Sequence, residues 1–317
     1  MRKRYLLLLG IGLFILGIIR VAPASLVAAQ ESPQFALSIS PPTFELSANP
    51  GDSLSNSIRV SNLTDRPLTI AVDLRNFTAV GEEGAIGLTE EETGFSLASW
   101  IGVTPQEIEI PPNTNQNFSF NINVPLNAEP GGHFGSIVFK TGGGTPEQTG
   151  AALAQEVGAL ILLRVAGQAK ESASIESFSP VKDFFEYGPV ELETRVKNEG
   201  NVHVRPTGTI TISNMFGQKV ADIELESRNV LPGAIRRLSG TLDEKNLIGR
   251  YTATVHLTYG NQGQKLSSTT TFTVFPYKIG GAVFAGLLLL AALLWRGRKR
   301  IKYALKVLFS GPEQKEQ

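Results

Sequence analysis

Tyr251-Thr252-Ala253-Thr254-Val255-His256-Leu257-Thr258-Tyr259 sets an apolar or aromatic side chain at every second position. Successive side chains of a β-strand point to opposite faces, so this spacing covers one face and leaves a Thr and His face to water. Working outward, Val190, Leu192, Thr194 and Val196 alternate in the same way, the chain turns through Asn198-Glu199-Gly200-Asn201, and Ile210 and Ile212 resume the pattern. In the first half, Ile58 and Val60 precede a turn at Asn62, after which Leu68, Ile70, Val72 and Leu74 share a face. This pair of segments reads as a hairpin. Phe118, Phe120, Ile122 and Val124 form a further strand, Pro130-Gly131-Gly132 a turn, and Gly135, Ile137 and Phe139 the inward side of another. The run at residues 160–165 reads as a closing strand covered on both faces.

Helix-period patterning is nearly absent between the two ends, so the expected fold is all-β: two immunoglobulin-like β-sandwich domains in tandem, followed by one transmembrane helix. Arg59-Val60-Ser61-Asn62 and Arg195-Val196-Lys197-Asn198 mark the same place in each half, a strand running into an Asn turn. Gly249-Arg250-Tyr251 suggests a tyrosine corner, although a plain core aromatic is the simpler reading.

The ends differ from the middle. Arg2, Lys3 and Arg4 precede an apolar stretch and a small-residue segment ending Val27-Ala28-Ala29, the three parts of a secretory signal peptide. Residues 279–294 carry no charge and are flanked by Tyr277 and Trp295, with Arg296, Arg298, Lys299, Arg300 and Lys302 behind them. That is the pattern of a membrane span with its basic side in the cytoplasm. The expected organisation is a signal peptide at 1–29, a first sandwich at 30–168, a second at 169–277, a transmembrane helix at 278–296 and a basic cytoplasmic tail at 297–317. The boundary between sandwiches is placed near Gly167 to Ser174, and Ile301, Leu305 and Leu308 give the tail an apolar stripe suited to lying on a membrane. The ectodomain would then face outward from the plasma membrane.

The formal charge of zero hides an asymmetry. Of the 29 Lys and Arg only 18 lie between Gln30 and Lys278, against 27 of the 29 acidic residues. An exported part this acidic disfavours nucleic acid as a partner. The chain has no cysteine, so its cores form without disulfides, which points to a bacterial surface rather than a eukaryotic one. The acidic stretch 82–92 reads as a solvated loop, and the Gly-rich segment 141–158 as a mobile insertion.

No catalytic residue, metal ligand or cofactor site is identified, and the chain is not read as an enzyme. His133, His203 and His256 are far apart in sequence; His256 falls on the outward face of its strand, while His133 and His203 sit beside turns, and each is read as surface or hydrogen-bonded. Gly142-Gly143-Gly144-Thr145 lacks the following Lys of a phosphate loop, so no nucleotide is expected. Phe95, Trp100, Tyr187 and Phe216 are core aromatics or, where exposed, anchors for a partner.

Ser38-Ile39-Ser40-Pro41-Pro42-Thr43-Phe44-Glu45-Leu46, Pro50-Gly51-Asp52-Ser53, Pro130-Gly131-Gly132-His133-Phe134-Gly135-Ser136-Ile137-Val138-Phe139 and Gly158-Ala159-Leu160-Ile161-Leu162 together resemble the N-terminal domain of the WxL-interacting proteins of bacterial surfaces. The resemblance implies a membrane-anchored scaffold whose first domain contacts peptidoglycan and whose second holds another surface protein. It fades in the second half, where the segment from Asn198 to Pro206 looks more like a motif of assorted bacterial surface proteins. Two other functions stay open: a chaperone-like module assisting assembly of surface proteins, as two immunoglobulin-like domains do in pilus chaperones, and a cryptic glycan hydrolase with carboxylates on separate loops.

Overall fold

The computed structural model describes residues 36–141 and 155–309; the expected signal peptide, most of the Gly-rich insertion and the end of the tail lie outside them. The fold is all-β: two immunoglobulin-like sandwiches followed by one long helix. In the first sandwich one sheet has the order β1(Leu37–Ser40), β3(Ser53–Asn62), β8(Asn115–Asn123), β6(Ile101–Thr104). The facing sheet has the order β2(Thr43–Ala48), β10(Glu156–Val165), β9(Gly131–Thr141), β4(Leu68–Val80), β5(Ala85–Thr89), with β7(Glu107–Ile110) also on β4. In the second sandwich β11(Ala173–Pro180), β13(Val190–Asn198) and β16(Ile235–Leu242) face β12(Phe184–Phe185), β18(Gln264–Val274), β17(Gly249–Tyr259), β14(Thr207–Asn214) and β15(Lys219–Leu225).

The two sandwiches share one plan of strand pairing, to which the first adds β6 and β7. The opening strand of each divides: β1 pairs antiparallel with β3 while β2 crosses to pair in parallel with β10, and β11 and β12 do the same with β13 and β18. The Asn turns of the sequence motif are equivalent in this plan, but they are not hairpins. Strands β3 and β4 lie in different sheets, as do β13 and β14, so each turn is an arch across the sandwich. Alternation alone is the same for a hairpin and an arch; buried side-chain bonds make the difference. Asn62 Nδ2 donates to the carbonyls of Arg66, Ile110 and Pro111, while its Oδ1 accepts from the Thr64 N–H. The amide thus replaces ladder bonds that the arch forgoes.

Each core follows the alternation. Ile58, Phe118, Ile137, Ile161 and Leu163 are fully buried in the first, and Val190, Leu192, Ile210, Val255 and Phe272 in the second. Strand β10 is covered on both sides: Ile161 and Leu163 enter the core, whereas Leu162 packs outward with Phe77 and Phe134 and is joined by Leu231 of the second sandwich. This explains the consecutive apolar residues from Leu160 to Leu163. Tyr251 is both a core aromatic and a corner: its ring stacks on Phe272 at 5.5 Å, and its hydroxyl meets the backbone N–H and carbonyl of Ile248 at 3.1 and 3.3 Å.

The last element, α1(Tyr277–Phe309), continues straight through the basic residues. Its segment Tyr277–Arg298 is long and apolar enough to cross a membrane, and none of it is buried against the sandwiches.

Candidate functional site

Most of the acidic stretch is exposed, as expected, but its first residue, Glu82, is held against the second sandwich. The turn at residues 81–84, between β4 and β5, rests on the second sandwich. The Glu82 carboxylate takes Arg195 Nε and Nη2 at 2.7 and 2.5 Å in a bidentate pair, and the Glu82 carbonyl accepts the Arg237 N–H at 2.9 Å. Glu83 pairs with Arg237 at 3.0 Å. The hydrogen bonds from Arg195 hold the Glu82 carboxyl below its usual range, with the Arg195 and Arg237 charges adding to this against desolvation. Gly84 has φ +90°, which favours glycine, and a side chain there would displace the Arg236 guanidinium.

A second seam joins two turn motifs read separately in the sequence. Gly132 N–H donates to the Asn201 carbonyl at 2.7 Å, and Asn201 Nδ2 donates to the Pro130 carbonyl at 3.1 Å. Gly131 has φ +142°, and a Cβ there would stand 2.9 Å from the Asn201 oxygen. A third seam is polar: Glu45 Oε1 accepts from Asn229 Nδ2 at 2.7 Å and lies 3.5 Å from Arg205.

Between these seams a cleft of about 170 Å³ opens, lined by Phe77, Ala79, Ile86, Leu160 and Leu162 from the first sandwich and by Asn229, Leu231 and Arg236 from the second. It shares Thr43, Ile86 and Leu160 with a neighbouring hollow of about 300 Å³, bounded by Leu88, Ser136, Val138 and Gly158. Together they form one apolar groove along the outer face of the β2–β10–β9–β4–β5 sheet. Ser136 and Gly158 keep its floor low. Its rim strand β5 pairs with β4 alone among the described residues, leaving its other backbone edge open, and its Ile86 and Leu88 are 39% and 38% exposed. Two buried polar atoms of cleft residues have no hydrogen-bond partner among the described residues: Asn229 Oδ1, an acceptor, and Arg236 Nε, a donor. Burial, reinforced by the neighbouring Arg228 charge, lowers the Arg236 guanidinium from its ordinary range. The groove can therefore take an apolar, extended chain beside the open edge of β5. A wider hollow of about 600 Å³ near Pro41 has a more polar lining, with Ser55, Ser57, Ser119 and Asn121.

The histidines occupy three settings. His256 is exposed on its outer face, as expected. His133 is buried under Trp100, ring centroids 4.4 Å apart, with Nδ1 and Nε2 facing the carbonyls of Ser96 and Glu129 at 3.1 and 2.9 Å. His203 lies at the seam, edge-on to Phe134 at 6.0 Å, and burial lowers its pKa. Among the described residues no group of three His, Asp or Glu is placed to hold a metal ion. Of the four aromatics, Trp100 packs against the first core, while Phe95, Tyr187 and Phe216 are exposed. Sequence reasoning missed Asn229, Arg236 and Arg237; the one local signal was the break in alternation at Arg236-Arg237.

No family model and no curated protein sequence matches the chain. Solved structures similar to it include the class 5 fimbriae chaperone CfaA, at 13% identity and TM-score 0.41 over 75% of this chain and 99% of that one. The periplasmic chaperone SfaE is similar at 13% identity and TM-score 0.35 over 75% and 100% of the two chains. The Salmonella enterica SafA pilin in complex with the SafB chaperone matches at 12% identity and TM-score 0.35 over 77% and 98%. The resemblance to WxL-interacting proteins is thereby corrected: no family model supports it, and CfaA, SfaE and SafB are chaperones. The peptidoglycan contact rested on that resemblance and is withdrawn with it.

Proposed function

We propose that this chain is a chaperone-like binding module, tethered to a membrane by α1, that holds an extended segment of another exported surface protein in the groove between its sandwiches. The observation that carries this reading is the pairing of an open strand edge, β5, with an apolar groove beside it. An incoming strand would pair its main chain with β5 and set alternate side chains among Ile86, Leu88 and Leu160. In this reading residues 1–29 direct export, the boundary between sandwiches falls between Val165 and Ala173, and the basic tail stays in the cytoplasm.

The test is photo-crosslinking in the producing cell from a probe at Leu88, with a control probe at Thr269 on the far sandwich. The expected result is an exported protein captured through one extended segment from Leu88 alone. Equal capture from both positions, or none from Leu88, contradicts the reading.

A further inference from the structure

Large exposed apolar side chains gather at one end of the second sandwich, and four separate connections supply them. The β14–β15 turn carries Met215 and Phe216, 68% and 80% exposed; the chain entering β17 carries Ile248, 68% exposed; the β12–β13 link carries Tyr187, 64% exposed; and the β18–α1 connector carries Phe275, 47% exposed. The strand registers put them at the same end. Asn214 is opposite Tyr251, Tyr251 is opposite Phe272, and Gly249 is opposite Val274, the last residue of β18. The Phe275 N–H donates to the Phe185 carbonyl at 2.9 Å, and a Cβ at Gly249 would come 3.8 Å from Met215 Sδ. At the opposite end of the same strands the turn is Gly260-Asn261-Gln262-Gly263, without an apolar side chain.

This apolar end is also where α1 leaves. From Val274 to Tyr277 is three residues, which span at most about 10 Å of extended chain. The helix foot is fixed there as well: Tyr277 meets the Phe184 ring at 6.1 Å, and Lys278 pairs with Glu186 at 2.7 Å. Turn tips are ordinarily polar because they face water. Here the tips facing the helix foot carry large exposed apolar side chains, beside the charged Glu186, Asp243, Glu244 and Lys245 of the same connections.

We infer that this end of the second sandwich docks on the lipid surface, with Met215, Phe216 and Ile248 entering the headgroup and upper acyl region around the base of α1. The inference rests on the reading of α1 as a membrane span. The occupant is lipid rather than a protein, because a helix that spans the membrane brings these tips to the interface without a second partner. Docking fixes the second sandwich against the membrane and directs the groove outward.

The absence of cysteine makes a direct test possible in the full chain. Nitroxide labels are placed through Phe216→Cys, Gln262→Cys and Leu290→Cys, one at a time, in protein reconstituted into phosphatidylcholine nanodiscs. Collision with dioxygen, which concentrates in lipid, is compared with collision with a water-soluble nickel chelate. The expected ratio at Phe216→Cys is several-fold above that at Gln262→Cys and approaches that at Leu290→Cys. A label at 216 as open to nickel as that at 262, with Leu290→Cys shielded, overturns the docking while leaving the span intact. Exposure of Leu290→Cys to nickel overturns both.

Discussion

Asn62 and Asn198 make the same buried bonds at the same point of the two sandwiches. Asn62 Nδ2 donates to Arg66 O and Ile110 O at 2.7 and 3.0 Å; Asn198 Nδ2 donates to Val202 O and Val230 O at 2.7 and 2.8 Å. Each Oδ1 accepts the N–H two residues on, from Thr64 and Gly200, both at 2.9 Å. A matching amide in each half holds the arch between sheets and ties it to a strand connection distant in sequence.

Replacing either amide with leucine keeps the number and branching of side-chain heavy atoms but strands buried carbonyls. Asn62→Leu and Asn198→Leu should each cost about 1–3 kcal/mol. In urea unfolding of the full chain in detergent, each variant should move the transition of its own sandwich and leave the other in place.

The seam between sandwiches should loosen in acid. The Glu82 carboxyl is held below its usual range by hydrogen bonds from Arg195, so its contribution is complete above the unfolded-state value and fades as pH falls through the lower folded value. Spin-label distances between the sandwiches should broaden in that acid window, and Glu82→Gln should show the broad distribution already at neutral pH.

His203 acts in a milder window. Burial lowers its pKa, with the charges of Glu45 and Glu171 opposing this and that of Arg164 reinforcing it. The unfolded chain binds a proton more readily, so stability falls as pH drops through the ordinary histidine value of about 6.5 toward the lower folded one. His203→Phe should flatten that part of the stability–pH curve measured by thermal unfolding.

Gly131→Ala should weaken the Asn201 seam without disturbing either core. The positive φ and the approach to the Asn201 oxygen combine to make the cost about 1 kcal/mol or more. Faster proteolysis between Val165 and Ala173, with a lowered urea midpoint for the first sandwich and an unchanged one for the second, is the expected outcome.

The strands were legible because a face that is covered must alternate with one that is not, as Tyr251 through Tyr259 do. The arches were not, since β3 and β4 carry the same alternation whether they pair or cross between sheets. The Glu82 pair escaped because its partner lies 113 residues away, and charge runs carry no address. The groove escaped for a related reason: Leu88 on an open outer face and Ile70 in the core give the same local pattern, and only the fold separates them.

Hydrogen exchange across Ala85–Thr89 tests the central claim most directly. The full chain is compared alone and with the partner segment captured from Leu88. Pairing of that segment with β5 predicts slowed exchange of the edge amides, and loss of the slowing in Leu88→Asp, which should weaken binding by about 2 kcal/mol. Unchanged exchange on binding, or slowing that persists in Leu88→Asp, would contradict strand pairing in the groove.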